Sequence, residues 1–156
     1  MSEANAVSLE QKRITRQEIF NKVAPALLAQ NKKSLRLNLD GTMNGCMYRG
    51  CDNTKCAIGF LIPDDHPACY MEADVFGLLD THKDLMPILG FNGTNRYGNR
   101  YGMDSDDPYD QDHISFLNDL QKIHDYKPVI EWRARLIDLA SAWNLDSSCI
   151  EGLSVA

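Results

Sequence analysis

Apolar positions along this chain change their spacing, and each change marks an element. From Ile14 they recur at three and four residues, through Ile19, Phe20, Val23, Leu27 and Leu28, which predicts an amphipathic helix. Thr15 and Glu18 form a capping box, and Ile14 and Ile19 a hydrophobic staple, so the helix starts at Arg16. Pro25 removes one backbone hydrogen bond inside it and predicts a kink or a division; Asn31 suits its exit. The period then falls to two. Leu35, Leu37 and Leu39 alternate with Arg36 and Asn38, the pattern of a half-buried strand over Ser34 to Leu39 with its leucines inward. Asp40-Gly41 and Asn44-Gly45 are turn formers, and Cys46 to Arg49 is expected to pair back as an antiparallel hairpin.

The next stretch is the densest in packing atoms. Cys46 to Asp65, CMYRGCDNTKCAIGFLIPDD, holds three cysteines and the longest apolar run. Asn53 or Thr54 would cap a short buried helix beginning near Lys55 and ended by Pro63. A second strand, Lys55 to Ile62, is equally open, because a run this short has no decisive period. Beyond it, Ala73, Phe76 and Leu79 outline a helix over Glu72 to His82, and Leu85 to Phe91 is apolar but broken by Pro87 and Gly90. Two helices close the chain. Phe116, Leu117, Leu120, Ile123 and His124 stripe Asp112 to Asp125, and Pro128 at N1 opens a last helix carrying Val129, Trp132, Leu136, Leu139, Ala140 and Trp143. The resulting fold class is α+β, mainly helical, with four or five helices packed around a small antiparallel β-hairpin.

One segment has no apolar period. Residues 92–112 contain a tandem repeat, Asn95 to Gly98 then Asn99 to Gly102, followed by aspartates at 104, 106, 107, 110 and 112. A structureless loop of this length in a compact domain is usually functional or disordered. The organisation expected is a flexible segment at 1–13 and a single globular domain at 14–156 with a long loop at 92–112.

Charge refines the picture. The chain of 156 residues has a formal net charge of −6, which disfavours a dedicated nucleic-acid binder. Residues 1–60 carry nine basic and five acidic side chains, whereas residues 61–112 carry three and eleven, so surfaces of opposite sign are expected. No run approaches the roughly 20 apolar residues that span a bilayer, and the polar start lacks a secretory apolar region, so a cytoplasmic protein without a membrane partner is expected. Five cysteines in such a compartment are expected to be reduced thiols.

Three chemistries compete. Cys46, Cys51, Cys56 and His66 would be the ligands of a zinc site, although Cys-x4-Cys-x4-Cys is a poor knuckle spacing. Cys56 in the first turn of a helix, beside Lys55, would be an activated nucleophile with His124 as base and Asp125 behind it, in a cysteine-dependent hydrolase or transferase with Arg49 as anion anchor. Against this, His124 falls on an apolar stripe, where structural histidines are commoner. The five aspartates fail the EF-hand order at Pro108 and read as a solvated acidic loop. Binding is the third chemistry. Arg96, Tyr97, Arg100 and Tyr101 combine stacking, charge and flexible glycines, as recognition loops do. Tyr48, Arg49, Asp64 and Asp65 form a polar rim that would add to such a surface; alternatively, Tyr48 and Arg49 would line a pocket that sequesters a small polar ligand or nucleotide. No cofactor is expected.

Four blocks are shared with a known group. Cys46-x-Tyr48-Arg49, Cys56-Ala57-Ile58-Gly59, Leu61-Ile62-Pro63-Asp64-Asp65 and Phe116-Leu117-x-x-Leu120-Gln121-x-x-His124-Asp125 resemble a family of small uncharacterised proteins from bacteriophage and prophage genomes. The likeness spans residues 20–140. It implies a phage-type accessory protein that acts in the bacterial host cytoplasm by binding a host or defence protein, and the repeat with its aspartates reads as an insertion relative to the shared pattern. The leading expectation is therefore binding without catalysis.

Overall fold

The computed structural model describes residues 14–71, 75–91 and 108–153, and these are mainly helical. Helix α1, Arg16–Gln30, begins as its capping box requires. The Thr15 hydroxyl accepts the Glu18 N–H at 3.1 Å, and the Glu18 carboxylate accepts the Thr15 N–H at 3.3 Å. Asn31 ends it in the left-handed conformation, φ 55°. Pro25 does not divide the helix. Burial of Ile19, Phe20, Val23, Ala24 and Leu27 holds both halves on one core, which outweighs the roughly 3 kcal/mol that an interior proline costs.

Strand β1, Leu35–Leu37, pairs antiparallel with β2, Met43–Cys46, with Leu37 opposite Met43 and Leu35 opposite Cys46. The return strand thus lies three residues earlier than its sequence pattern placed it. A tight turn causes the shift: Asn38 N–H donates to the Thr42 carbonyl at 2.8 Å, Asp40 accepts the Thr42 N–H at 3.0 Å, and Gly41 takes φ 85°. Nor do the helices pack around this pair. Leu37 is 60% exposed and Leu39 fully so, where alternation placed both inward. Two short strands offer too little width to seal a face, so the pair projects from the domain as an arm.

Residues 50–71 form neither the helix nor the strand expected near Lys55. Asp52 and Asn53 adopt left-handed φ of 57° and 63°, and the segment winds through short 3-10 turns at 51–53, 58–60 and 67–70. Helix α2, Val75–Thr81, follows, then a 3-10 turn at 83–85. Helix α3, Pro108–Tyr126, starts four residues before the stripe that announced it. A 3-10 turn at 129–131 precedes α4, Trp132–Ala142, so Pro128 stands before that turn and not at the first position of the α-helix. A short α5, Ser148–Glu151, docks through fully buried Ile150.

The core is helical. Helix α3 packs against α4, α2 and the 58–60 turn, while α1 packs against α4, α5 and the same turn. Phe20, Phe116, Trp132, Leu78 and Ile58 are sealed between them.

Candidate functional site

The second half of α3 carries Gln121, His124 and Asp125, which are bonded to one another through Asp125 and reach Ile58 in the irregular 50–62 segment and Ser34 just before β1. Gln121 accepts the Ile58 N–H at 3.0 Å and donates to Asp125 at 2.8 Å. His124 accepts the Ser34 N–H on Nε2 at 2.9 Å. A backbone N–H can only donate, so Nε2 presents its lone pair and the ring proton sits on Nδ1, donated to Asp125 at 2.9 Å. Gln30 grips the same segment from α1, bonding both the N–H and the carbonyl of Lys55 at 2.8 Å. These bonds supply partners that a segment without regular structure cannot give itself.

This arrangement commits the thiol and the imidazole of the candidate pair to the fold. Cys56 is 1% exposed and its sulfur accepts the Gly59 N–H at 3.3 Å; His124 is fully buried with both nitrogens engaged elsewhere. No ring nitrogen remains to take a proton from the thiol. The flanking three-residue 3-10 turns also lack the aligned peptides of a helix, so no macrodipole activates Cys56.

Arg49 is equally committed. Its guanidinium donates to the Gly59 carbonyl at 2.6 Å, the Ile62 carbonyl at 2.8 Å and Asp64 at 2.7 Å, folding the 59–64 backbone around itself. Lys55 adds a second contact to Asp64 at 3.0 Å. These two hydrogen-bonding cations, Lys55 first, hold the Asp64 carboxyl below the usual carboxylate range. Tyr48 is buried, and its carbonyl lies where a Cβ on Gly59 would fall, so only glycine fits there. Tyr48 and Arg49 therefore build the segment from within, while Asp64 and Asp65 stand exposed at its edge.

Among the described residues Cys51, Cys56 and His66 do not gather as a donor set, whereas another set does. The Cys46 side chain lies outside the described residues, Cys51 is half-buried and Cys56 sealed. Among the described residues the metal-type donors that converge are His66, His82 and Asp84, whose ligand atoms lie within 4.8 Å of one another. His66 Nε2 meets Asp84 Oδ2 at 2.7 Å, and that hydrogen bond pulls the Asp84 carboxyl down from its usual range. The His66 and His82 rings stand edge to face, 5.0 Å apart. His66 Nδ1 also caps the 67–70 turn by accepting the Ala68 N–H at 3.0 Å. Sequence reading found His66 but not Asp84; the His82-Lys83-Asp84 spacing, two donors one residue apart, is the local signal that points to it.

At the opposite end of α3, Arg16 lies 4.1 Å above the Tyr109 ring and 5.2 Å from that of Trp143, and donates to His113 Nδ1 and the Tyr109 carbonyl at 3.1 Å. Residues 108–112 of the expected loop are the first turns of α3, and Asp110 is buried there, not solvated. Arg96, Tyr97, Arg100 and Tyr101 lie outside the described residues.

No protein-family model, curated protein or solved structure matches this chain. Among the described residues no helix is long and apolar enough to cross a membrane.

Proposed function

We propose that the protein acts by binding another protein, without catalysis, as a phage-type accessory factor directed at a host or defence component. The observation that carries this reading is the exposed arm. Leu37 and Leu39 stand 60% and fully in solvent on a hairpin locked by its own turn, while Cys56, His124 and Arg49, the residues that would serve catalysis or anion capture, are spent on the fold. Leaving two adjacent leucines in water forgoes about 1.5 to 3 kcal/mol for each one that burial would recover, so covering them is a source of affinity. Exposed Lys32 and Arg36 flank the leucines, which favours a partner surface with an apolar centre and an acidic edge. The Arg and Tyr side chains of the Asn95 to Gly102 repeat would add contacts of the type that dominate protein interfaces.

The test is affinity capture from bacterial lysate with quantitative mass spectrometry, using wild type, the double variant Leu37→Glu/Leu39→Glu, and a deletion of residues 95–102. A bacterial protein retained by wild type and depleted at least tenfold with the leucine variant is the expected result. The same set of proteins at the same abundance on all three baits would overturn the reading.

A further inference from the structure

We propose that His66, His82 and Asp84 form a site for a divalent cation of the Zn2+ class. Two imidazoles and one carboxylate are the donor set that borderline ions such as Zn2+, Co2+ and Ni2+ select over Mg2+ or Ca2+, which take oxygen ligands. Three such donors already lie within 4.8 Å of one another, close to the separations their atoms have around one ion. They come from two separate turns, 66–70 and 82–85, so their convergence is a product of the fold and not of one local run. His66 and His82 are half-buried and hold their rings edge to face, whereas the Asp84 side chain is 64% exposed and has room to swing from His66 onto an ion. Three protein ligands would leave a tetrahedral ion one position for water.

Filling the site changes one hydrogen bond in a defined way. The Ala68 N–H bonded to His66 Nδ1 means that the ring proton sits on Nε2, donated to Asp84. An ion can bind Nε2 only when that proton moves to Nδ1, and Nδ1 then no longer accepts from Ala68. The proton is relocated within the ring and none is released by His66. Binding is therefore coupled to loss of the cap on the 67–70 turn, which weakens the site by about tenfold relative to one whose second nitrogen faces a carbonyl.

The experiment uses the full chain without a histidine tag, titrated with ZnCl2 by isothermal titration calorimetry and followed by 15N NMR. One equivalent should bind, with the Ala68 amide among the resonances that move most. His82→Ala and His66→Asn should each weaken binding at least tenfold; Asn keeps a side-chain oxygen to cap the turn, so the second variant separates ligation from folding. Zn2+ binding of unchanged affinity in both variants would place the ion elsewhere and overturn the proposal, as would no saturable binding by wild type. If a variant fails to fold, the wild-type Ala68 amide decides: a resonance that stays in place at saturation refutes the site.

Discussion

His124 on α3 and the backbone N–H of Ser34, 90 residues apart in the chain, meet at 2.9 Å where water does not reach. That bond, with the one from His124 to Asp125, makes the imidazole a strut between the helical core and the base of the projecting arm. His124→Ala leaves a buried N–H without a partner and opens a cavity beside Trp132, whose ring centroid is 5.5 Å away. We expect a loss of about 3 kcal/mol in urea unfolding. A loss below about 1 kcal/mol would show that the strut is dispensable.

Thiol reactivity should follow burial. Cys51 and Cys149 are half-buried and should be alkylated by iodoacetamide in the native protein, whereas Cys56 and Cys69 should react only as the chain opens. Burial pushes the Cys149 thiol up from its ordinary range, so its labelling should keep accelerating through alkaline pH. Peptide mapping that finds Cys56 labelled first would contradict the packing described above.

Arg49 reaches three carbonyls, those of Tyr48, Gly59 and Ile62, and one carboxylate with one planar fork, a geometry that a lysine ammonium cannot reproduce. Arg49→Lys should destabilise the fold by about 2 kcal/mol despite keeping the charge. Gly59→Ala should cost at least as much, because its Cβ would collide with the Tyr48 carbonyl that the 58–60 turn packs against. Thermal unfolding followed by circular dichroism reads both; an Arg49→Lys melt equal to wild type would mean that the charge alone suffices.

Acid should weaken the fold through specific carboxylates. Asp64, held by Lys55 and Arg49, and Asp84, held by His66, both have folded-state pKa values below the ordinary one. A depressed carboxyl stabilises the folded state fully above its unfolded pKa, about 3.9, and that stabilisation is lost as pH falls through the lower folded value. The urea midpoint should accordingly be flat with respect to these groups above about pH 5 and decline below about pH 4. Asp64→Asn and Asp84→Asn should each make that decline shallower, and a slope unchanged in both would assign it to other groups.

Local chemistry was legible in the sequence and distant pairing was not. Thr15, Glu18 and Asn31 gave both ends of α1, because caps are decided by neighbours within four residues. The stripe through Phe116, Leu120 and His124 gave α3 and marked His124 as structural, yet nothing near it named Ser34 as its partner. Alternation in Leu35, Leu37 and Leu39 signalled a strand but not its exposure, since period two says which residues share a face and not whether anything covers it. The 50–62 segment was misread because Asp52 and Asn53 take left-handed angles in a context that otherwise resembles a helix cap. The His82-Lys83-Asp84 spacing hints at a donor pair, but that His66 joins it across 18 residues is tertiary geometry that no local spacing shows.

Arg16 rests against both Tyr109, in the first turn of α3, and Trp143, at the exit of α4. Of the two tryptophans in the chain, Trp132 is sealed in the core, whereas Trp143 is half-buried beneath that guanidinium. Its indole emission is consequently a built-in optical gauge of the junction between α1 and the foot of α3, readable without attaching a dye.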